Sequence, residues 1–518
     1  MSIWNRQPDA APGGYIIQPG APVSAPYTAP TVPEVSADHP PDLPLWEWGE
    51  GDTFTLADAT TGVAVFGATG SGKTSGPARM LALSYLASGF GGLVLCAKPE
   101  ERRQWEEWAE AAGRWDRATQ TGDLVIFDKR ALHRFNFLDW EARRAGDGGG
   151  FTINVLALFQ EIMSALNRGK DAGGEDGGFW KDALEQMMAA TVDLVLLAGE
   201  RIEPALLRDV VRSAPVTPEE ASSTQWQATS RLWQLATKAQ ERQAAAGDEE
   251  AQADLGECIA YWLDDFPKLS EKTRSIIVLS FTSFLRLFTS QPLRQLFSTT
   301  TNLQPEDMFS GNVIIVDLPV QLFRQVGRVA ALVMKYCAQI AILRRSQPTT
   351  PGLYLRPVFL WADEAQNFMS DFDPEFQAVA RSAGGCTVYL AQNVNQYRRL
   401  LGNDDNFEAF IGNLQTKVFC QNTSETNSWA SELLGKRWMQ VKNRSTNFGG
   451  GQQPGSATSG GGTSTSVQLM ALVEPNAFTT LRRGGPANGF IVEAVAFKGG
   501  QVFNASGENY RRLEIDQR

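Results

Sequence analysis

Short apolar runs and longer amphipathic patterns alternate along most of the chain. Gly62–Phe66 (GVAVF), Gly92–Cys96 (GLVLC) and Asp123–Phe127 (DLVIF) are brief, uninterrupted apolar runs that read as buried strands. A helix closed by Gly89 fits between the first two. Between the second and third, Trp105, Trp108, Ala109 and Ala112 recur at helical spacing. Strands alternating with helices in this order predict a parallel, doubly wound sheet.

The pattern changes after Gly150. Residues 151–290 carry amphipathic runs such as FTINVLALFQEIMSAL, FWKDALEQMMAATVDLVLLA and TSRLWQLATKAQERQ, broken by GGEDGG and SAPVTPEE. They read as an all-helical insertion whose first and last helices pack back toward the sheet. The alternation then resumes, with strands at Asn312–Leu318, Val358–Asp363, Cys386–Leu390 and Lys417–Cys420 and a helix over Val326–Leu343. Two stretches lack any apolar period. Residues 1–45 are rich in Pro, Ala and Gly and read as a disordered arm; residues 447–466 (NFGGGQQPGSATSGGGTSTS) read as a flexible polar loop. The organisation is then an arm (1–45), a first part of a nucleotide-binding domain (46–150), the helical insertion (151–290) and a second part (291–518).

Composition narrows the class. The chain has 518 residues, enough for two or three domains, with a net charge of −11. That balance excludes a protein coated in basic surface, though not a local basic channel. Five scattered cysteines without a CxxC pair fit reduced, buried thiols, and two histidines leave little material for a histidine metal site or Ser–His catalysis. No basic start followed by an apolar core marks a signal peptide. The most apolar helix, Val326–Leu343, is interrupted by Gly327, Arg328, Lys335 and Gln339 and reads as a buried core helix. A cytoplasmic location is expected.

The chemistry is concentrated in a few residues. Gly67-Ala68-Thr69-Gly70-Ser71-Gly72-Lys73-Thr74 is a full GxxxxGK[ST] phosphate loop, following an apolar strand and opening a helix. Its glycines let backbone N–H groups turn inward around phosphates, Lys73 reaches the β- and γ-oxygens, and the Thr74 hydroxyl takes a place at Mg2+. VFLWADEAQ supplies the acidic partner: Asp363 to hold Mg2+ and Glu364 to polarise the attacking water, which favours ATP hydrolysis over binding alone. Arg381 is a candidate arginine finger acting on a neighbouring subunit, and Gln392 a candidate γ-phosphate sensor at the end of the next strand. From the pattern alone both are equally read as a surface arginine and an ordinary strand-end glutamine. Lys73 and Asp363 are 290 residues apart, so the helical block is inserted within the ATPase domain.

Together, GATGSGKTSG, LVLCAKPEE, RFNFLD, the helix beginning at Phe179-Trp180, NVIIVDLP, LWADEAQNF, ARSAGGCTVYLAQNVNQ and TKVFCQNTSETNSWASELLGKR resemble the coupling-protein ATPases of type IV secretion and conjugation. The resemblance covers most of residues 50–518. It implies a RecA-like P-loop core in a hexameric ring, with ATP and Mg2+ bound near subunit boundaries that Arg381 and Gln392 approach. It also implies an inserted helical domain that recognises the transferred substrate, DNA as cargo, and a relaxase, secretion channel or other effector as protein partner. Two features depart from the family's pattern. A Pro-rich arm stands where members usually have transmembrane helices, so membrane contact is expected only through a partner; Cys96 stands where aspartate is common. Arg398-Arg399, Lys436-Arg437 and Arg482-Arg483 are candidates for basic loops facing a pore. The competing reading is an ATPase that recruits or moves protein, or a subunit of a defence complex, without DNA pumping.

Overall fold

The computed structural model describes residues 35–144, 149–167, 177–401, 404–450 and 457–518; the first 34 residues of the expected arm and the start of the GGEDGG break, residues 173–176, lie outside them. Nine strands form one central sheet. In chain order they are β1 (Val63–Phe66), β2 (Gly91–Leu95), β3 (Leu124–Asp128), β4 (Val313–Asp317), β5 (Val358–Ala362), β6 (Gly385–Ala391), β7 (Thr416–Phe419), β8 (Ile491–Lys498) and β9 (Tyr510–Asp516). Their spatial order is β9-β8-β7-β1-β6-β5-β2-β4-β3. The first seven are mutually parallel, and β8 and β9 add antiparallel to the β7 edge. Near-continuous Val, Ile, Leu and Ala runs suit strands covered on both faces.

Each face has its own core. On one side Phe54, Tyr85, Phe90, Trp105, Phe359 and Trp361 pack together, with Trp105 stacked on Phe359 at 5.5 Å. The other core continues from the sheet into the helices between β3 and β4. Phe127 of β3 meets Phe297, which meets Phe288 at the end of helix Glu271–Phe288; Phe159 of helix Thr152–Asn167 meets Phe281 and Phe284 of that same helix. Helix Thr152–Asn167 reaches the sheet through an intermediary, helix Gln325–Leu343, where Arg328 donates to the Ala165 carbonyl at 2.9 Å.

Gln325–Leu343 is the one helix among the described residues long and apolar enough to cross a bilayer, and it is packed inside the protein. Its Lys335 is fully buried on Asp373 at 2.6 Å. Asp373 also accepts from Gln339, the Tyr389 hydroxyl and the Ser370 N–H, as a buried charge requires.

Two regions differ from the sequence-based expectation. The end of the arm belongs to the fold: Val35–Ser36 pairs with Tyr354–Leu355, and Pro44–Gly49 pairs with Asp52–Thr55. The expected flexible loop is instead the outer part of an antiparallel ribbon, Lys436–Gly450 against Ala457–Ala471, with residues 451–456 outside the description. A two-stranded ribbon outside the central sheet is held by its backbone ladder and needs no strict apolar alternation. Backbone pairing and Ser, Thr and Asn side chains suffice, so the usual strand signal is missing.

Candidate nucleotide site

The site lies at the carboxyl ends of three adjacent strands. β6 sits between β1, which feeds the phosphate loop, and β5, which ends in Asp363-Glu364. The loop is pinned at its start: Gly67 N–H donates to the Ala391 carbonyl at the end of β6, and Ala68 N–H to the Gln421 carbonyl beyond β7. Gly70 and Gly72 take φ of +72° and +85°, a left-handed backbone that disfavours any side chain. Gly70 faces open space, whereas a Cβ at Gly72 would strike Val492 and come within 3.0 Å of the Arg483 carbonyl.

A helix then runs from Thr74 to Ala87, its first turn, Thr74–Ala78, widened to π geometry. Pro77 within that turn has no N–H to give, and Ala78 bonds back to the Lys73 carbonyl instead. The first-turn N–H groups of a helix have no intrahelical acceptor, which makes this end attractive to an anion.

The side chains converge on two carboxylates. Thr74 Oγ1 donates to Asp363 Oδ2 at 3.2 Å, and the Glu364 N–H donates to Asp363 Oδ1 at 2.8 Å. Lys73 Nζ stands 3.6 Å from Glu364 Oε1. Gln392, at the end of β6, donates to both Glu364 oxygens at 3.2 and 3.3 Å, and Gln366 donates to Oε2 at 2.9 Å. Glu364 takes φ +51°, rare for a residue with a side chain; the Asn367 N–H and side-chain amide hold its carbonyl at 3.0 Å. Burial opposes ionisation of Glu364. The Gln366 amide, the Lys73 charge, the Gln392 amide and the Lys98 charge outweigh it and hold its pKa down at about 2.

Lys98 is the participant that sequence reasoning missed. Its Nζ lies 3.0 Å from Asp363 Oδ2 and 3.2 Å from Glu364 Oε1, bridging the two acids. Burial would lower its pKa, but Asp363 and Glu364 raise it above the usual lysine range. The available signal was positional: Lys98 follows the end of β2, and β2 lies directly beside β5.

The donor set fits a magnesium nucleotide. Thr74 and Asp363 offer adjacent oxygen ligands of the kind a hard cation takes, and the buried Ser71 hydroxyl has no partner. Among the described residues no cluster of His, Cys, Asp and Glu forms a separate metal site.

Arg381 is not brought to this cluster. It is exposed in the turn Ala380–Ala383 before β6, at the opposite edge of the sheet from Gln392. Seven residues of strand, about 20 Å, separate the two edges. The three basic pairs are split by their surroundings. Arg398 packs over Phe407 at 4.8 Å, Arg437 pairs with Glu508 at 2.8 Å, and Arg482 pairs with Glu493 and Glu514 at 3.2 and 2.7 Å. Arg399, Lys436 and Arg483 are exposed.

Residues 357–483, from the start of β5 through the ribbon, match the sequence model of a family described as the TraM recognition site of TraD and TraG. The whole fold resembles solved coupling-protein structures. An unbound form of the bacterial conjugative coupling protein TrwB superposes with a TM-score of 0.57 at 14% identity, covering 92% of this chain and 90% of that one. TrwB in complex with ADP and Mg2+ gives 0.55 at 14% identity, covering 92% and 90%. The family match spans only part of the chain, the second part of the sheet and the ribbon. The core has the RecA-like P-loop fold of those structures, and at this identity the likeness speaks for the fold alone. No curated protein matches the chain in sequence at a significant level.

Proposed function

We propose that the protein is an ATP-hydrolysing motor that assembles as a ring, most simply a hexamer, and moves DNA through its centre. The observation that carries this reading is the convergence of Lys73, Thr74, Asp363, Glu364 and Gln392 at one sheet edge, with Glu364 held ionised. The loop N–H groups and Lys73 would bind the triphosphate, and Thr74 and Asp363 would hold Mg2+. Bound there, Mg2+ would neutralise charge developing on the β- and γ-oxygens. Glu364, fixed by two amide donors, would orient the attacking water and take its proton as the water oxygen bonds to the γ-phosphorus and the bond to the bridging oxygen breaks, releasing ADP. Gln392 contacts Glu364 directly, so a change at the γ-phosphate reaches β6 through one side chain. Arg381, remote from its own site and exposed, suits an arginine finger for the next subunit. The protein would act in the cytoplasm and meet a membrane only through a partner.

Steady-state ATP hydrolysis of the purified protein, with and without single- and double-stranded DNA, tests this reading, with Glu364→Gln as the blank. Strong stimulation by DNA supports the motor and identifies its track. Hydrolysis indifferent to DNA favours the second reading, a motor or receptor for protein. Two observations favour that alternative: the helical block holds 21 acidic against 13 basic residues, and the matching family's description names recognition of a protein.

A further inference from the structure

The ribbon Lys436–Gly450/Ala457–Ala471 has no role in the nucleotide site, and its composition is unlike the rest of the chain. Residues 436–471 contain four basic and no acidic side chains, in a protein with 58 acidic against 47 basic. Alternate residues of a strand share a face. Lys436, Trp438, Gln440 and Lys442 therefore line one side of the ribbon, and the register sets Leu469 opposite Trp438, Val467 opposite Gln440 and Thr465 opposite Lys442. Trp438 is 70% exposed, and Lys436 and Lys442 are exposed with no ion-pair partner among the described residues. The reverse face is more covered, with Met439, Val441 and Met470 partly buried. Its Arg437 is already tied to Glu508.

An exposed indole between two unpaired ammonium groups is the chemistry that grips a single nucleic-acid strand: a base stacks on the ring while phosphates sit on the lysines. Lys436 and Lys442 are six residues apart, about 20 Å along the strand. That leaves room for phosphates on either side of a base at Trp438. The net charge of −11 repels a polyanion from the body as a whole, so an acid-free face stands out by contrast. The same charge argues against a two-fold contact between copies of this face, because it would set lysines against lysines.

We propose that the Lys436–Trp438–Lys442 face of the ribbon binds single-stranded DNA, a contact that rests on the motor reading above and names the surface through which it grips its track.

The test is fluorescence anisotropy of a labelled oligothymidylate titrated with full-length protein at several salt concentrations. Trp438→Ala should weaken binding roughly ten-fold. The double variant Lys436→Glu with Lys442→Glu should lower the slope of log affinity against log salt by about 1.4, two phosphate contacts on a single strand. Both should keep the wild-type melting temperature and DNA-free ATPase rate. If the wild type binds the strand and both variants bind it equally well, the ribbon assignment fails while the motor reading stands. If the wild type binds no DNA, both fail. Preference for duplex over single strand would overturn the stacking role of Trp438. Loss of oligomer in light scattering with strand affinity intact would make the face a contact between copies instead.

Discussion

At the nucleotide edge of the sheet, two lysines and two carboxylates form a chain of ion pairs no longer than 3.6 Å, each lysine reaching an acid from a different strand end. On the ribbon, Lys436 and Lys442 flank an exposed tryptophan, and nothing among the described residues neutralises them. The first arrangement is assembled by the chain itself, with charges held close enough that removing one changes the state of the others. The second is held by backbone pairing and by contacts on its reverse face, among them Arg437 on Glu508, while Lys436, Trp438 and Lys442 stand exposed on the other. Substitutions at the first should therefore be severe and coupled. Those on the ribbon should be mild, additive and visible only when the partner is present.

The largest effect is expected inside the cluster. Lys73→Ala or Glu364→Gln should lower kcat for ATP by roughly a thousand-fold while leaving the thermal melt close to wild type. A comparable rate from either variant would remove the phosphate-loop cluster from the chemistry. Arg381→Ala should produce a similar loss for a different reason, since its side chain is remote from its own site. Mixing Arg381→Ala subunits with Lys73→Ala subunits should restore part of the activity, because each supplies what the other lacks. Mixed rings as inactive as the pure ones would count against a finger acting between subunits.

Stability should respond most at the buried pair beneath the site. Lys335→Ala leaves the Asp373 carboxylate buried with only neutral donors, and should cost about 3–5 kcal/mol in urea unfolding. Replacing both residues with apolar ones of similar size should cost less than the single change, since the penalty comes from the orphaned charge. This comparison sharpens the contrast with the ribbon, where Lys442→Ala should leave the unfolding midpoint unchanged.

The same contrast explains what the sequence made legible. Strands β1 to β7 are short apolar runs because both faces of the sheet are covered, and such runs are visible without any partner knowledge. The phosphate loop and Asp363-Glu364 were equally plain, since their chemistry demands particular residues at particular spacing. β9 was hidden because Arg511 takes one of its inward positions, where Asp52 from the amino-terminal hairpin receives it. Lys98 was hidden because its partners are 265 and 266 residues away, and only the adjacency of β2 and β5 brings them together. The ribbon escaped because its outer strands are mostly Gly, Ser, Thr and Asn with almost no apolar residues, which leaves no hydrophobic period to read.

Lys98 offers the smallest and most discriminating test of that adjacency. Its charge helps hold the Glu364 pKa at about 2, below its ordinary value of 4.5. Between those two values the unfolded chain binds the proton more readily than the folded one, so stability from this carboxylate rises with pH across that window. It is fully present above about 4.5 and lost as pH falls through about 2. Lys98→Ala removes one of the charges responsible, which moves the folded pKa upward and shrinks the contribution. The variant should therefore be less stable than wild type near neutrality, by the order of 1 kcal/mol, with the difference closing as the pH is lowered below 4.5. Urea midpoints of the two proteins measured across that range read the closure directly. A gap that stays constant with pH would mean that Lys98 supports the site by packing its alkyl chain, and that its ammonium group is not what couples β2 to the carboxylates of β5.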